Sequence, residues 1–99
     1  MEVIARRELA ALSRDGERRS VEVRLGKPVP SGRQGGEWAC PMQIVGLGPE
    51  RIKEAFGVDS VQAIQLALRL ATIDLHSLAS SNAVRLEWLG GEIGFWPGA

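Results

Sequence analysis

The chain has 99 residues, of which 44% are hydrophobic and 24% charged, and its 12 Lys and Arg balance its 12 Asp and Glu. These values fit one soluble globular domain; they exclude a disordered tail and, without excess positive charge, argue against a general polyanion binder. The single cysteine excludes an internal disulfide, and the single histidine excludes the usual four-ligand His/Cys zinc site.

A β-hairpin is predicted over residues 3–25. Apolar and polar side chains alternate in its second half, and an Asp-Gly pair marks the turn. A loop with an odd number of residues places Leu9 on the same face as Val21, whereas a two-residue loop does not. The sequence allows two different three-residue loops. Residues 15–17 would bring opposite charges across the hairpin, and residues 14–16 would give the glycine its left-handed position.

The next segment, residues 26–37, is rich in glycine and proline, and we expect a mobile loop there. A strand is predicted over residues 38–45, because every second side chain is apolar, namely Trp38, Cys40, Met42 and Ile44. Pro41 cannot donate a ladder hydrogen bond, so its presence predicts an edge strand or a bulge.

A short helix is predicted over residues 49–56. Gly48 suits the cap, Pro49 suits the first helical position, and Glu50 suits the positive end of the helix dipole. Gly57 would end this helix.

The main helix is predicted over residues 59–79, where Asp59 and Gln62 have the spacing of a capping box. At 100° per residue it shows a broad apolar face and a second apolar stripe: Val61, Ile64, Ala67, Leu68, Ala71, Leu75 and Leu78, and then Leu66, Leu70 and Ile73. Such a helix must be covered on more than one side. The sheet, the short helix with its loops, or a second subunit could provide that cover.

A second hairpin is predicted over residues 84–96, with Gly90 and Gly91 as a two-residue turn. This register places Trp88 across from Ile93 and Leu86 across from Phe95. The complete chain, residues 1–99, is therefore predicted as a single α+β domain. An antiparallel β-sheet of about five strands packs on one long α-helix, which follows a short helix.

Charge is divided unevenly along the chain. Residues 1–36 contain eight basic and five acidic side chains, a net charge of +3, whereas residues 37–99 contain four basic and seven acidic, a net charge of −3. A polarised surface favours a charged partner, for which the candidates are Arg14, Arg18 and Arg19. Nucleic-acid binding through these arginines is an alternative function, although acidic residues interleave with them and no aromatic side chain among them could stack on a base.

Catalytic patterns are weak. Cys40 and His76 suggest a nucleophile and a base, which gives a small cysteine-dependent enzyme as a second alternative, but Cys40 alternates in phase with core residues. Gly46 and Gly48 resemble the start of a dinucleotide fingerprint, yet Arg51 stands where the third glycine belongs. We therefore expect no enzyme activity, no cofactor and no metal.

Protein binding is the leading hypothesis. Trp96 alternates out of phase with Ile93 and Phe95, so its side chain should point away from the core and could anchor a partner. The alternative is that the chain terminus folds over and covers it. The second helix stripe supplies the other candidates, Leu66, Leu70 and Ile73. The function predicted is a small non-enzymatic interaction module, for example an inhibitor, an immunity protein or an accessory subunit of a larger bacterial complex. Self-association is also allowed.

Three stretches carry a resemblance to a known family: Trp38-Ala39-Cys40-Pro41, residues 57–68 with Gly57-Val58-Asp59 and Gln65-Leu66-Ala67-Leu68, and Gly94-Phe95. Together they resemble a family of short bacterial proteins that is classed only as a domain of unknown function. Trp96 between Phe95 and Pro97 departs from its pattern. The resemblance implies a stand-alone bacterial domain and brings no catalytic residue.

The compartment predicted is the cytoplasm. The N-terminus has no apolar stretch long enough for a signal peptide. Polar and charged residues interrupt the most apolar segment, residues 58–78, so no membrane span is expected.

Overall fold

The structure, a computed structural model, describes residues 1–95. These residues form six strands and one helix: β1 (Val3–Ser13), β2 (Arg18–Gly26), β3 (Val29–Pro30), β4 (Trp38–Val45), β5 (Lys53–Gly57), α1 (Ser60–Ser81) and β6 (Val84–Glu87). Every strand pair is antiparallel. The predicted α+β class, an antiparallel sheet packed on a helix, is confirmed.

Three strands of the sheet have a single neighbour within residues 1–95. Strands β6, β1, β2 and β4 are neighbours in that order, and β4 also pairs with β3 and β5. Met42 of β4 pairs with Leu25 of β2 on one side and with Lys53 of β5 on the other. Strands β5 and β6 are therefore edges of the sheet, and the two-residue β3, which pairs only with β4, also has an unpaired side.

The β1–β2 hairpin has the odd-numbered loop that the apolar pattern requires. Leu9 pairs with Val21, and both side chains are buried. The loop is residues 14–16, with Gly16 in the left-handed region at φ 85°. The alternative loop, residues 15–17, is thereby excluded, and Glu8 lies across from Glu22 instead of Arg24.

The segment predicted as a mobile loop contains β3, which pairs with the start of β4. The Ser31 N–H donates to the Glu37 carbonyl at 2.9 Å, so the hairpin continues beyond the strand. Only the glycine-rich tip, residues 32–36, lies beyond this hydrogen bond. Its mobility stays a prediction.

Strand β4 has the predicted buried face, with Cys40, Met42 and Ile44 all at 4% exposure or less. The edge position inferred from Pro41 is wrong, because β4 has neighbours on both sides. The proline is tolerated because residues 40–41 pair with neither β2 nor β3. At this interruption its ring packs against Gly26, where an added Cβ would lie 2.5 Å from Pro41 Cγ.

The predicted short helix over residues 49–56 is wrong, and the second half of that segment, residues 53–56, belongs to β5. Its side chains alternate, since Ala55 and Gly57 are buried whereas Glu54 and Phe56 are exposed. Glu50 does not serve a helix dipole; its carboxylate accepts a hydrogen bond from the Gly46 N–H at 2.9 Å and closes the turn before β5. Pairing with β4 satisfies more backbone groups than an isolated two-turn helix would.

Helix α1 begins as the capping pattern predicted. The Asp59 carboxylate accepts from the Gln62 N–H at 2.8 Å, and the Gln62 side chain accepts from the Val58 N–H at 2.8 Å. The buried face is centred on the small residues Ala63, Ala67, Ala71 and Thr72, together with the larger Leu75. Small side chains allow the helix to lie close to the sheet.

The predicted hairpin over residues 84–96 is only partly formed. The turn consists of Leu89 and Gly90, both in the left-handed region, and Trp88 pairs with Gly91 instead of Ile93. Residues 92–95 form no strand, and Ile93 is buried in the core. The predicted pairing of Leu86 with Phe95 is therefore also wrong. The physical reason is that Leu89 and Gly90 both adopt the positive φ that a two-residue hairpin turn requires, so the turn forms one residue earlier than predicted. This moves the partner of Trp88 by two positions, from Ile93 to Gly91.

Candidate functional site

Helix α1 lies directly above the edge strand β5 and its neighbour β4. At one end of β5, a Cβ on Gly57 would lie 2.5 Å from the Ala63 backbone nitrogen, so only glycine fits there. At the other end, Lys53 Nζ lies 2.7 Å from Asp74 Oδ2. The helix therefore follows the whole length of the edge strand, in the opposite direction.

The two flanks of α1 have different surroundings. Leu68 and Ala71 border a cleft of about 180 Å³ together with Val23 and Leu25 of β2, so this flank faces the middle of the sheet. The stripe Leu66, Leu70 and Ile73 lies on the opposite flank, beyond the edge formed by β5. Leu66 and Leu70 are partly buried against the core, whereas Ile73 is 58% exposed.

On the other face of the sheet, β5 presents Glu54 and Phe56. The Arg33 guanidinium carbon lies 4.4 Å from the centroid of the Phe56 ring, within the range of a cation–π contact. Arg33 Nη1 is 3.5 Å from Glu37 Oε2, which is long for a charge-assisted hydrogen bond. Glu54 has no ion-pair partner within residues 1–95.

These two groups of side chains lie on opposite faces of the sheet beside the free side of β5, and together we call them the β5–α1 surface: Glu54, Phe56, Leu66, Leu70 and Ile73. The free side of β5 lies at its centre. On the helix-covered face of the sheet it is bordered by the apolar flank of α1, and on the other face by the Phe56 ring with Arg33 beside it. Free strand edges pair readily with further strands, and apolar side chains beside them add burial. The sequence predicted the three helix residues but not the two strand residues, because β5 was assigned to a helix.

The other predicted binding residues lie elsewhere. Arg14, Arg18 and Arg19 are exposed at the tip of the β1–β2 hairpin. Arg14 borders a shallow depression beside the end of α1, whereas Arg18 and Arg19 border a different one that also contains Glu8 and Glu87. Trp96 lies outside the described residues.

Cys40 and His76 have contrasting environments. The Cys40 side chain is fully buried, and its Sγ lies 3.4 Å from the Gly26 carbonyl oxygen as a hydrogen-bond donor. Burial raises the pKa of the Cys40 thiol to about 11, so the thiol is protonated at neutral pH. His76 is exposed on α1. This arrangement gives Cys40 the packing role of a core residue.

Arg7 is a feature that the sequence analysis missed. Its guanidinium carbon lies 3.7 Å from the centroid of the Trp88 ring and 4.7 Å from that of Phe95. Nη1 also donates to the Ile93 carbonyl at 3.0 Å. Arg7 alternates in phase with Leu9, which was the available signal for its position on the helix-covered face. It fastens residues 92–95 over the sheet.

The described part of the chain lacks two kinds of feature, a cluster of metal-binding side chains and a membrane-spanning helix. No group of three or more His, Cys, Asp or Glu side chains within residues 1–95 could hold a metal ion. No helix within the same residues has the length and apolarity needed to cross a membrane.

Comparison with known proteins gives one match. No curated protein and no solved structure matches the chain significantly. A family model described as a domain of unknown function, DUF6968, matches residues 5–96. The match includes all of the strands from β2 to β6, the helix, and nearly all of β1. The chain therefore belongs to the DUF6968 family.

Proposed function

We propose that this protein is a small non-enzymatic protein-interaction module that binds its partner through the β5–α1 surface. The observation that carries the proposal is the edge strand β5, whose free side continues into the exposed flank of α1. A partner strand added to β5 would gain main-chain hydrogen bonds, and its neighbouring side chains would cover Ile73. The role proposed is that of an inhibitor, an immunity protein or an accessory subunit in a bacterial cytoplasm.

The energetic argument rests on burial. Ile73 is 58% exposed, and covering a large aliphatic side chain stabilises a complex by about 1–2 kcal/mol. Leu66 and Leu70 already contact the core, so they are held in place and lose little conformational entropy on binding. A pre-formed apolar flank next to an unpaired strand is therefore a favourable place for a partner.

The two alternative functions have less support. The arginines of the hairpin tip border separate depressions, one of which contains two acidic residues, and this weakens a continuous attraction for phosphates. The thiol of Cys40 is protonated and buried, which does not suit a nucleophile.

Capture of partners with matched variants tests the proposal. Ile73→Glu places a charge on the β5–α1 surface, whereas Val61→Glu places the same charge on another part of α1 where the native side chain is 62% exposed. Tagged parent and variants would be incubated with lysate of the source organism. Bound proteins would then be quantified by mass spectrometry. Loss of a bound protein with Ile73→Glu, but not with Val61→Glu, is the expected result; equal capture by all three would contradict the proposal.

A further inference from the structure

We infer that the occupant of the β5–α1 surface is a second copy of this chain, bound about a two-fold axis that passes beside Ala55. This inference rests on the proposed function and names the partner. The two β5 strands would pair antiparallel, so that one sheet runs through both copies. The two α1 helices would then lie side by side on the same face of that sheet.

The spacing of the helices supports this arrangement. Neighbouring strands lie about 4.8 Å apart, and α1 packs mainly on β4 and β5. The axis of α1, if it runs midway between β4 and β5, lies about 2.4 Å from β5 on the side of β4. The two-fold axis lies about 2.4 Å from β5 on its free side. The two helix axes would thus be about 10 Å apart, at the upper end of the 8–10 Å range of packed helices.

The alignment of α1 along β5 also supports the two-fold arrangement. Ala63 lies at the Gly57 end of β5 and Asp74 lies at the Lys53 end, so the middle of β5 is beneath the middle of that helical segment. A two-fold axis at Ala55 therefore brings Leu66 of one copy towards Ile73 of the other. Leu70 of each copy would lie near the axis. The exposed part of this apolar stripe would therefore be covered by the same stripe of the second copy.

On the sheet face away from α1, the same register brings opposite charges of the two copies together. With Ala55 on the axis, Glu54 of one copy lies directly across from Phe56 of the other. Arg33 lies over that phenylalanine ring and is only loosely paired with Glu37. The Glu54 carboxylate would therefore meet the Arg33 guanidinium of the second copy, and symmetry forms this pair twice. Lys53 would face Gly57, so no like charges oppose each other.

Cysteine pairing tests the register. In a Cys40→Ala background, Glu54→Cys and Phe56→Cys chains would be oxidised separately and as a mixture. Directly opposed Cβ atoms lie about 4.5–5.5 Å apart, close to the reach of a disulfide, whereas diagonal neighbours are about 7–8 Å apart. We expect a covalent dimer mainly in the mixture. Equal cross-linking by either chain alone would overturn the inferred register.

Sedimentation equilibrium tests association itself. The parent is expected to increase in mass with concentration towards that of a dimer, and Arg33→Glu should weaken association about tenfold by placing a like charge against Glu54. Combining Arg33→Glu with Glu54→Arg should restore it. A parent that stays monomeric at every concentration overturns the inference. If that monomer still captures a protein in an Ile73-dependent manner, the proposed function stands; if it captures none, both fail.

Discussion

Lys53 Nζ lies 2.7 Å from Asp74 Oδ2, and this ion pair links the edge strand β5 to the overlying helix α1. The Asp74 side chain is only 18% exposed, whereas that of Lys53 is 49% exposed. The contact fixes the side of the sheet edge on which the flank of α1 lies. It therefore positions the β5–α1 surface.

Replacing Lys53 by methionine should lower the free energy of unfolding by about 1 kcal/mol, because a partly buried carboxylate loses its partner. Urea unfolding measures this change. The double variant Lys53→Met, Asp74→Leu should recover part of the loss, since it removes the unpaired charge as well. If Lys53→Met has the stability of the parent, the ion pair does not hold the helix on the strand.

Gly57→Ala should destabilise the fold by about 2 kcal/mol, because its Cβ would overlap the backbone of α1 at Ala63. Gly91→Ala is the matched control, since its Cβ would meet only the Trp88 carbonyl oxygen at an ordinary 3.8 Å. Thermal and urea unfolding should show a loss for the first and a change below about 0.5 kcal/mol for the second. Similar losses in both would contradict the close approach of α1 to β5.

Arg7→Met should lower stability by about 1–2 kcal/mol, because it removes the contact with the Trp88 ring and the hydrogen bond to Ile93. Arg6→Met, on the exposed neighbouring residue, should have little effect. Hydrogen exchange should also become faster in residues 92–95 of the Arg7 variant alone. Unchanged exchange there would show that Arg7 does not fasten this segment.

The buried thiol of Cys40 should lower the free energy of unfolding at alkaline pH. The folded thiol has a pKa of about 11, above its ordinary value, so the unfolded chain releases the proton first as the pH rises. Stability is unaffected below about pH 9 and falls between about pH 9 and 11, by about 1.4 kcal/mol per pH unit. Cys40→Ala should remove this slope. Parallel pH profiles for parent and variant would exclude a buried thiol.

Elements with strong local chemistry were predictable from sequence. Leu9 and Val21 share a face only with an odd loop, and this parity determined the first hairpin. Asp59 determined where α1 begins, because its carboxylate can accept from an otherwise unpaired N–H. The alternation of Cys40 with Met42 identified the buried face of β4. In each case the favoured local structure agrees with the global fold.

The remaining elements depended on tertiary contacts. The residues before β5 imitate a helix cap, and only pairing with β4 shows that Lys53–Gly57 is a strand. Leu89 adopts a left-handed conformation that its side chain disfavours, so the turn beside it could not be inferred. The same limits apply to the site. The helical stripe through Ile73 was visible in the sequence, whereas Phe56 and its contact with Arg33 were not.

Amide hydrogen exchange along β5 (Lys53–Gly57), compared between dilute and concentrated protein, most directly tests the claim that this strand edge binds a second strand. We predict slower exchange of alternate β5 amides in the concentrated sample, with β6 (Val84–Glu87) exchanging equally in both. Exchange in β5 that does not depend on concentration, or protection that develops along β6 instead, would contradict the account.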